Sequence, residues 1–243
     1  MNTSTMNLEP VPLFSKQVGT HGFINVVDVM PRLVEPGSLL CCDQAIVDSA
    51  RVSYSGGTTR KSTDAGLIKY LFKNKHTSPF EMVQFKFHVS APIFVIRQWQ
   101  RHRMATYNEV SGRYSVLDEK FWKPTEFRKQ SQTNKQGSSD EPFDPMVNEE
   151  LLDEYETHLQ NSYKLYERMI TSGVAREMAR TVLPLSTYTE MYVKTDLHNL
   201  LRFIKLRSDY HAQQEIRDYS LALEKILEEY CPITMEAYRE FGF

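Results

Sequence analysis

Apolar residues recur along this chain with two periods. From Met82 to Ser90, Val83, Phe85, Phe87 and Val89 alternate with Gln84, Lys86, His88 and Ser90. A period of two predicts a half-buried β-strand whose second face is wet or lines a polar cavity. Gly22–Met30, with Ile24, Val26 and Val27, and Thr187–Lys194 predict further strands. Elsewhere the period is helical. Leu152, Tyr155, Leu159, Tyr166 and Met169 form the stripe of a long amphipathic helix closed by Gly173. Leu197, Leu200, Leu201 and Ile204, then Ala212, Ile216, Tyr219, Leu223, Ile226 and Tyr230, predict two more helices. Shorter helices are expected around Asp43–Ser53, from an N-cap at Ser62 to Lys73, over Pro92–Arg101, and over Ala175–Val182 before Pro184. His76–Glu81 predicts a non-helical turn, because Pro79 disfavours helix at Ser78. Residues 1–20 read as a loose lead-in to one domain over 21–243. Arg128–Pro142 holds no large apolar residue and predicts an exposed, mobile loop. The elements do not alternate as repeated βαβ units. The expected class is α+β, a single domain with a small, mostly antiparallel sheet and long helices.

Composition narrows the function. With 243 residues, 41% hydrophobic and 12% aromatic, the chain can fill a sizeable core. A net charge of −2 disfavours a general polyanion binder, so no nucleic-acid partner is expected. No signal-peptide pattern or membrane-length apolar run stands out, so a cytoplasmic protein without a membrane partner is expected. Cys41 and Cys42 are adjacent and Cys231 is distant. That spacing makes neither a disulfide framework nor a zinc site; no metal is expected, and Cys231 reads as structural.

Charge is instead local. Arg101-His102-Arg103 is followed, after seven residues, by Ser111-Gly112-Arg113, with Asn108 and Glu109 between. The cluster emerges directly from the apolar run Ala91–Ile96. Neighbouring guanidiniums repel unless an anion sits among them, so the stretch reads as a site for a phosphorylated ligand. Two further basic groups follow: Arg176 with Arg180, and Arg202 with Arg207 and His211. Arg207 and His211 are four apart and would share a helix face. So many arginines exceed what one phosphate requires and suit a nucleotide together with a dinucleotide cofactor. No glycine-rich phosphate loop is present, so such a cofactor would bind without a Rossmann fingerprint. Two other readings stay open on the residues alone. One is a nucleic-acid module stacking bases on Trp99, Tyr107 and Tyr114; the other is a helical interaction protein with a solvated basic surface.

The stretch Arg101-His102-Arg103-(seven residues)-Ser111 resembles the signature of the flavin-dependent thymidylate synthases. So do His76-x-Ser78-Pro79-Phe80-Glu81, Gln98-Trp99-Gln100, Asn108 to Tyr114, Ala179-Arg180-x-x-Leu183-Pro184, and Leu206-Arg207-x-Asp209-x-His211-Ala212-Gln213, in family order and spacing. The resemblance implies reductive methylation of dUMP to dTMP, with 5,10-methylenetetrahydrofolate as carbon donor and NADPH-reduced FAD as hydride source. It implies Arg207 as the catalytic residue that ionises the uracil ring. It places dUMP on Gln98, Trp99, Gln100, Arg101, Glu109, Val110, Ser111, Gly112, Arg113, Arg180 and Arg207. FAD falls to Ser78, Arg101, His102, Arg103, Glu109, Asp196, Leu197, His198 and Arg202, with His76 near the flavin and folate. The Arg101–Arg103 end of the signature would thus face the flavin and the Glu109–Arg113 end the nucleotide. The chain departs from the family pattern after Thr195, where Asp196, His198 and Arg202 replace an Asn-x-Arg and a following Asn. Thr106 stands where serine is common. Ser111 reads as a binding residue, since no base is placed by sequence to activate it. The resemblance also implies a homotetramer with active sites shared between subunits.

Overall fold

The computed structural model describes residues 14–31, 42–53, 63–139 and 141–242. Strands β1 (Phe14–Val18), β2 (Gly22–Met30), β3 (Gln84–Pro92), β4 (Thr106–Glu109) and β5 (Tyr188–Asp196) form one antiparallel sheet in the order β1-β2-β3-β5-β4. The alternation around β3 acts as its period dictates. Val83, Phe85, Phe87 and Val89 are fully buried, Lys86 is exposed, and Gln84 and His88 are half-buried. Ser90 departs from the pattern: it is buried, and its hydroxyl donates to the His21 carbonyl at 3.0 Å. In β2 a register shift between Val26 and Asp28 passes the buried side from Ile24 and Val26 to Val29. This explains why its apolar residues do not keep a strict period of two.

Two strands were not expected. Phe14–Val18 lies in the supposed loose lead-in but pairs with β2, Phe14 opposite Val26 and Val18 opposite Gly22. Thr106–Glu109 lies inside the arginine-rich stretch and pairs with the edge of β5, Asn108 opposite Tyr192. Both are short, and β4 has no buried residue, so neither displays a hydrophobic period.

Helices α1 (Cys42–Arg51), α2 (Asp64–Lys73), α3 (Ser78–Glu81), α4 (Ile93–Trp99), α5 (Pro145–Thr171), α6 (Arg176–Ala179), α7 (Leu197–Arg207), α8 (Gln214–Tyr230) and α9 (Pro232–Phe241) complete the described elements. The N-cap of α2 is Thr63, whose hydroxyl accepts from Gly66 N at 3.1 Å; Ser62 lies outside the described residues. The expected non-helical turn at His76–Glu81 contains α3. Pro79 sits in its first turn, where a missing N–H costs nothing, so the proline opens a helix there. Ala175–Val182 divides into α6 and a 3₁₀ turn, Arg180–Val182.

The buried stripes of α7 and α8 join the inner face of the sheet in one core, as expected for a single α+β domain. Cys42 and Cys231 are fully buried in it, while Cys41 lies outside the described residues. By contrast, α5 buries only Leu159, Ser162 and Tyr166 of its 27 residues. The described residues of the expected loop 128–142 contain no helix, but they are not featureless. Gln130 bridges Ser138, Ser139 N donates to the Lys129 carbonyl at 2.8 Å, and the Gln130 side chain donates to the Gly137 carbonyl at 2.9 Å. Among the described residues no helix is long and apolar enough to cross a membrane.

Candidate active site

Pro92 ends β3 and caps α4, so the chain turns straight from the sheet into a short helix that stops at Trp99. Arg101, His102 and Arg103 therefore leave the core as a turn rather than as helix. The turn is pinned from β4, where the Tyr107 hydroxyl donates to the His102 carbonyl at 2.6 Å. Burial pushes that phenol up to about 12, so it remains a donor at physiological pH. Across from the turn runs α7, capped by Asp196. One Asp196 carboxylate oxygen accepts from Asn199 N and the other from Asn199 Nδ2, both at 2.8 Å. Asn199, Arg202, Phe203, Leu206 and Arg207 recur at helical spacing on α7 and face the turn. Between the two lies a cavity of about 660 Å³, also lined by Trp99, Arg101, His102, Arg103 and Tyr107.

Arg207 sits at the end of α7 with its guanidinium half-buried. Its Nε donates to His102 Nε2 at 2.9 Å and its Nη2 to the Gln98 carbonyl at 3.1 Å. Both acceptors are uncharged, and no carboxylate among the described residues forms an ion pair with this cation. The His102 ring packs against Phe203 with ring centroids 4.7 Å apart and the planes tilted by 59°. Burial, and then the charges of Arg207 and Arg202, lower its pKa to about 4. A neutral ring is what accepting from Arg207 requires. Burial also lowers the pKa of Arg207 below the usual arginine range.

A second polar group lies on the loop after β4. The Ser111 carbonyl accepts from Tyr114 N at 3.0 Å and Ser115 N at 3.2 Å, making a tight turn. Gly112 is buried at its centre; a Cβ there would meet Leu117 Cδ1 at 3.1 Å and Arg180 Cδ at 3.2 Å. Arg176 Nη1 donates to the Tyr114 carbonyl at 3.1 Å, and Arg113 Nε lies 3.6 Å from Glu177. Glu109 accepts from Gln100 Nε2 at 3.0 Å, and Val110 N donates to the Glu190 carbonyl at 2.9 Å. A third group is an apolar cavity of about 280 Å³ between α2, α3, α7 and α9, lined by His76 and His198 together with Phe72, Phe80 and Phe241.

A family model described as "Thymidylate synthase complementing protein" matches residues 40–233. A flavin-dependent thymidylate synthase of Dictyostelium discoideum is 46% identical over 229 residues, spanning 93% of this chain and 74% of that protein. This chain belongs to the flavin-dependent thymidylate synthases. A relative of the same name from Wolbachia pipientis wMel is 51% identical over 223 residues, 91% of this chain and 75% of that protein. Among solved structures, the UMP/dUMP methylase PolB of Streptomyces cacaoi bound with 5-Br UMP superposes with a TM-score of 0.78 at 30% identity. It covers 93% of this chain and 97% of PolB.

The residues singled out by resemblance to the flavin-dependent thymidylate synthases thus fall into three places in one chain. Trp99, Arg101, His102, Arg103, Arg202 and Arg207 share the largest of them. Ser111, Gly112, Arg113 and Arg180 share the second, with Glu109 at the end of β4, Val110 just after it, and Gln100, which caps α4, donating to Glu109. His76 and His198 share the third, and Ser78 opens α3 nearby as an exposed residue. The Asp196 side chain is committed to capping α7, and Leu197 is fully buried. The Gln98 side chain donates to Gln213. One expectation fails: α7 ends at Arg207, so His211 shares no helix face with it and instead pairs with Asp209 at 2.7 Å. Sequence reasoning missed Asn199 and gave Tyr107 only a stacking role. Asn199 stands eight residues before Arg207, two helical turns along the same face, which is the signal that could have found it.

Proposed function

We propose that this chain catalyses the reductive methylation of dUMP to dTMP, taking one carbon from 5,10-methylenetetrahydrofolate and its hydride from FAD reduced by NADPH. The observation that carries the reading is Arg207: a half-buried cation with two neutral hydrogen-bond partners, at the wall of a cavity that also holds Arg101, Arg103 and Arg202. Beside a uracil ring, such a guanidinium stabilises negative charge as it develops on the ring and so raises the nucleophilicity of C5. No enzyme nucleophile is then needed, in keeping with the burial of Cys42 and Cys231 and with a Ser111 hydroxyl that accepts from Arg113 N and is hydrogen-bonded to no base among the described residues.

The cavity suits a dinucleotide cofactor. Three of its arginines, Arg101, Arg103 and Arg202, have no ion-pair partner among the described residues, which is the state expected of groups that await phosphate. When bound, FAD supplies the hydride that reduces the transferred carbon to a methyl group. Asn199 and Tyr107 offer neutral polar contacts on the same wall, and Asp196 acts through the α7 cap rather than on phosphate. The Ser111–Arg113 turn, with Arg180 closed against Gly112, holds the dUMP phosphate through Arg113, Arg180 and the Ser111 hydroxyl. His76 and His198 serve the flavin and folate from their own cavity. Because these groups occupy separate places in one chain, complete sites form between subunits of a homotetramer.

Arg207→Ala tests the reading. The variant should keep bound FAD, visible in its absorbance, while kcat falls about a hundredfold or more. Wild-type turnover in this variant would remove Arg207 from catalysis. A wild-type protein that binds no FAD when it is supplied would remove the whole reading.

A further inference from the structure

Glu215, in the first turn of α8, lines none of the places assigned above to FAD, dUMP or folate, yet it reaches Arg207 through a chain of hydrogen bonds. Its side chain is 7% exposed. One carboxylate oxygen accepts from Arg128 Nη2 at 2.6 Å and the other from Gln213 Nε2 at 2.8 Å. Gln213 Oε1 accepts from Gln98 Nε2 at 2.5 Å. The main-chain carbonyl of Gln98 in turn accepts from Arg207 Nη2 at 3.1 Å.

The polarity of this chain is forced. An ionised carboxylate only accepts, so Gln213 must turn its amide nitrogen to Glu215 and its oxygen to Gln98. Gln98 must then donate through its own nitrogen. Flipping either amide would set two donors or two acceptors against each other. The relay therefore locks the last turn of α4, which supplies one of the two partners of Arg207. The other partner, His102, is locked separately by Tyr107.

We propose that Glu215 is a positioning residue for Arg207, acting through Gln213 and Gln98, and that its pairing with Arg128 couples the polar segment after residue 128 to the active arginine. The inference rests on the catalytic reading of Arg207 above. A guanidinium must sit within a fraction of an ångström of its place to meet charge developing on a ring, so loosening one of two partners should slow chemistry more than it weakens binding.

The test uses the FAD-loaded enzyme with dUMP, methylenetetrahydrofolate and NADPH. Glu215→Gln should lower kcat by about ten- to a hundredfold, with flavin content and the KM for dUMP within about twofold of wild type. Gln213→Leu cuts the relay but leaves the Arg128–Glu215 ion pair, and should act in the same direction. The double variant should lose no more than the worse single variant, because both cuts fall in one chain. If Glu215 only anchors the segment to α8, the variants lose thermal stability while the folded, flavin-loaded fraction keeps wild-type kcat; that result overturns the proposal, as do losses that multiply in the double variant. Should Glu215→Gln fail to fold, Gln213→Leu decides alone, and wild-type kcat in it overturns the relay. An active wild type with unaffected variants refutes only the relay, whereas a wild type without FAD binding or turnover refutes the catalytic reading together with it.

Discussion

His102 accepts from Arg207 only while its ring is neutral, and its surroundings keep it so. Burial is the largest cause, and the nearby arginine charges add to it, bringing the pKa from the usual 6.5 to about 4. The sign of the linkage follows. Between about 4 and 6.5 the unfolded chain binds this proton and the folded chain does not, so stability rises with pH across that window and falls on acidification. A chemical-shift titration should find the ring still neutral at pH about 5.5, and a midpoint near the model-peptide value would break this account. His102→Gln, which cannot titrate, should lose less stability between pH 7 and about 5 than wild type does. None of this was legible in Arg101-His102-Arg103 as a string of letters. The motif gave residue types suited to an anion, but the tautomer and pKa of His102 depend on Arg207, 105 residues away.

At the scale of elements, legibility followed the strength of the local signal. The stretch around β3 and the stripes of α7 and α8 were readable because each repeats its period several times against one core. β1, β4 and α3 were not, being five, four and four residues long, and the partner of β4 lies more than eighty residues along the chain in β5. α9 shows the same limit. Its N-terminus has no local side-chain cap; the donors Ile233 N and Thr234 N are met by Asp43 of α1 at 2.8 and 3.1 Å, and the Thr234 hydroxyl adds a third bond. Asp43 is buried, so Asp43→Ala leaves these donors without a partner or water. Denaturant titration should show a loss of about 1–3 kcal/mol, and a change within error would show that α9 does not depend on this cap.

Over the whole molecule, a single chain leaves much apolar surface in water. Met146 on α5 is 83% exposed, Tyr114 is 76% exposed, Val110 and Val116 are exposed on either side of the Ser111–Arg113 turn in the chain, and Met178 and Leu185 are exposed as well. Surface of this kind, next to clusters of ligand-binding chemistry, is what subunit contacts would cover. Light scattering of the purified protein should give four times the mass of the 28.3 kDa chain. A stable single-chain mass with full turnover would remove the shared-site assembly. The three separated groups of family residues make the same demand under the proposed assignment, in which a nucleotide at Ser111–Arg113 and a flavin at Arg101–Arg103 would have to meet at one reacting carbon.

The sequence by itself determined the class of fold, the long helices and the chemical character of the site. Hydrophobic period and motif chemistry are local properties that need no distant partner. It also carried the family, because blocks of residues stand in order and spacing across most of the chain. Only the tertiary structure decided which of those residues meet. It brought α7 against the turn after α4, left Arg207 with neutral partners, committed Asp196 to a helix cap, and parted His76 and His198 from the arginine cavity. The physical reason is that protonation, charge compensation and reach depend on distance and burial in space, and residues a hundred positions apart acquire these only when the core closes between them.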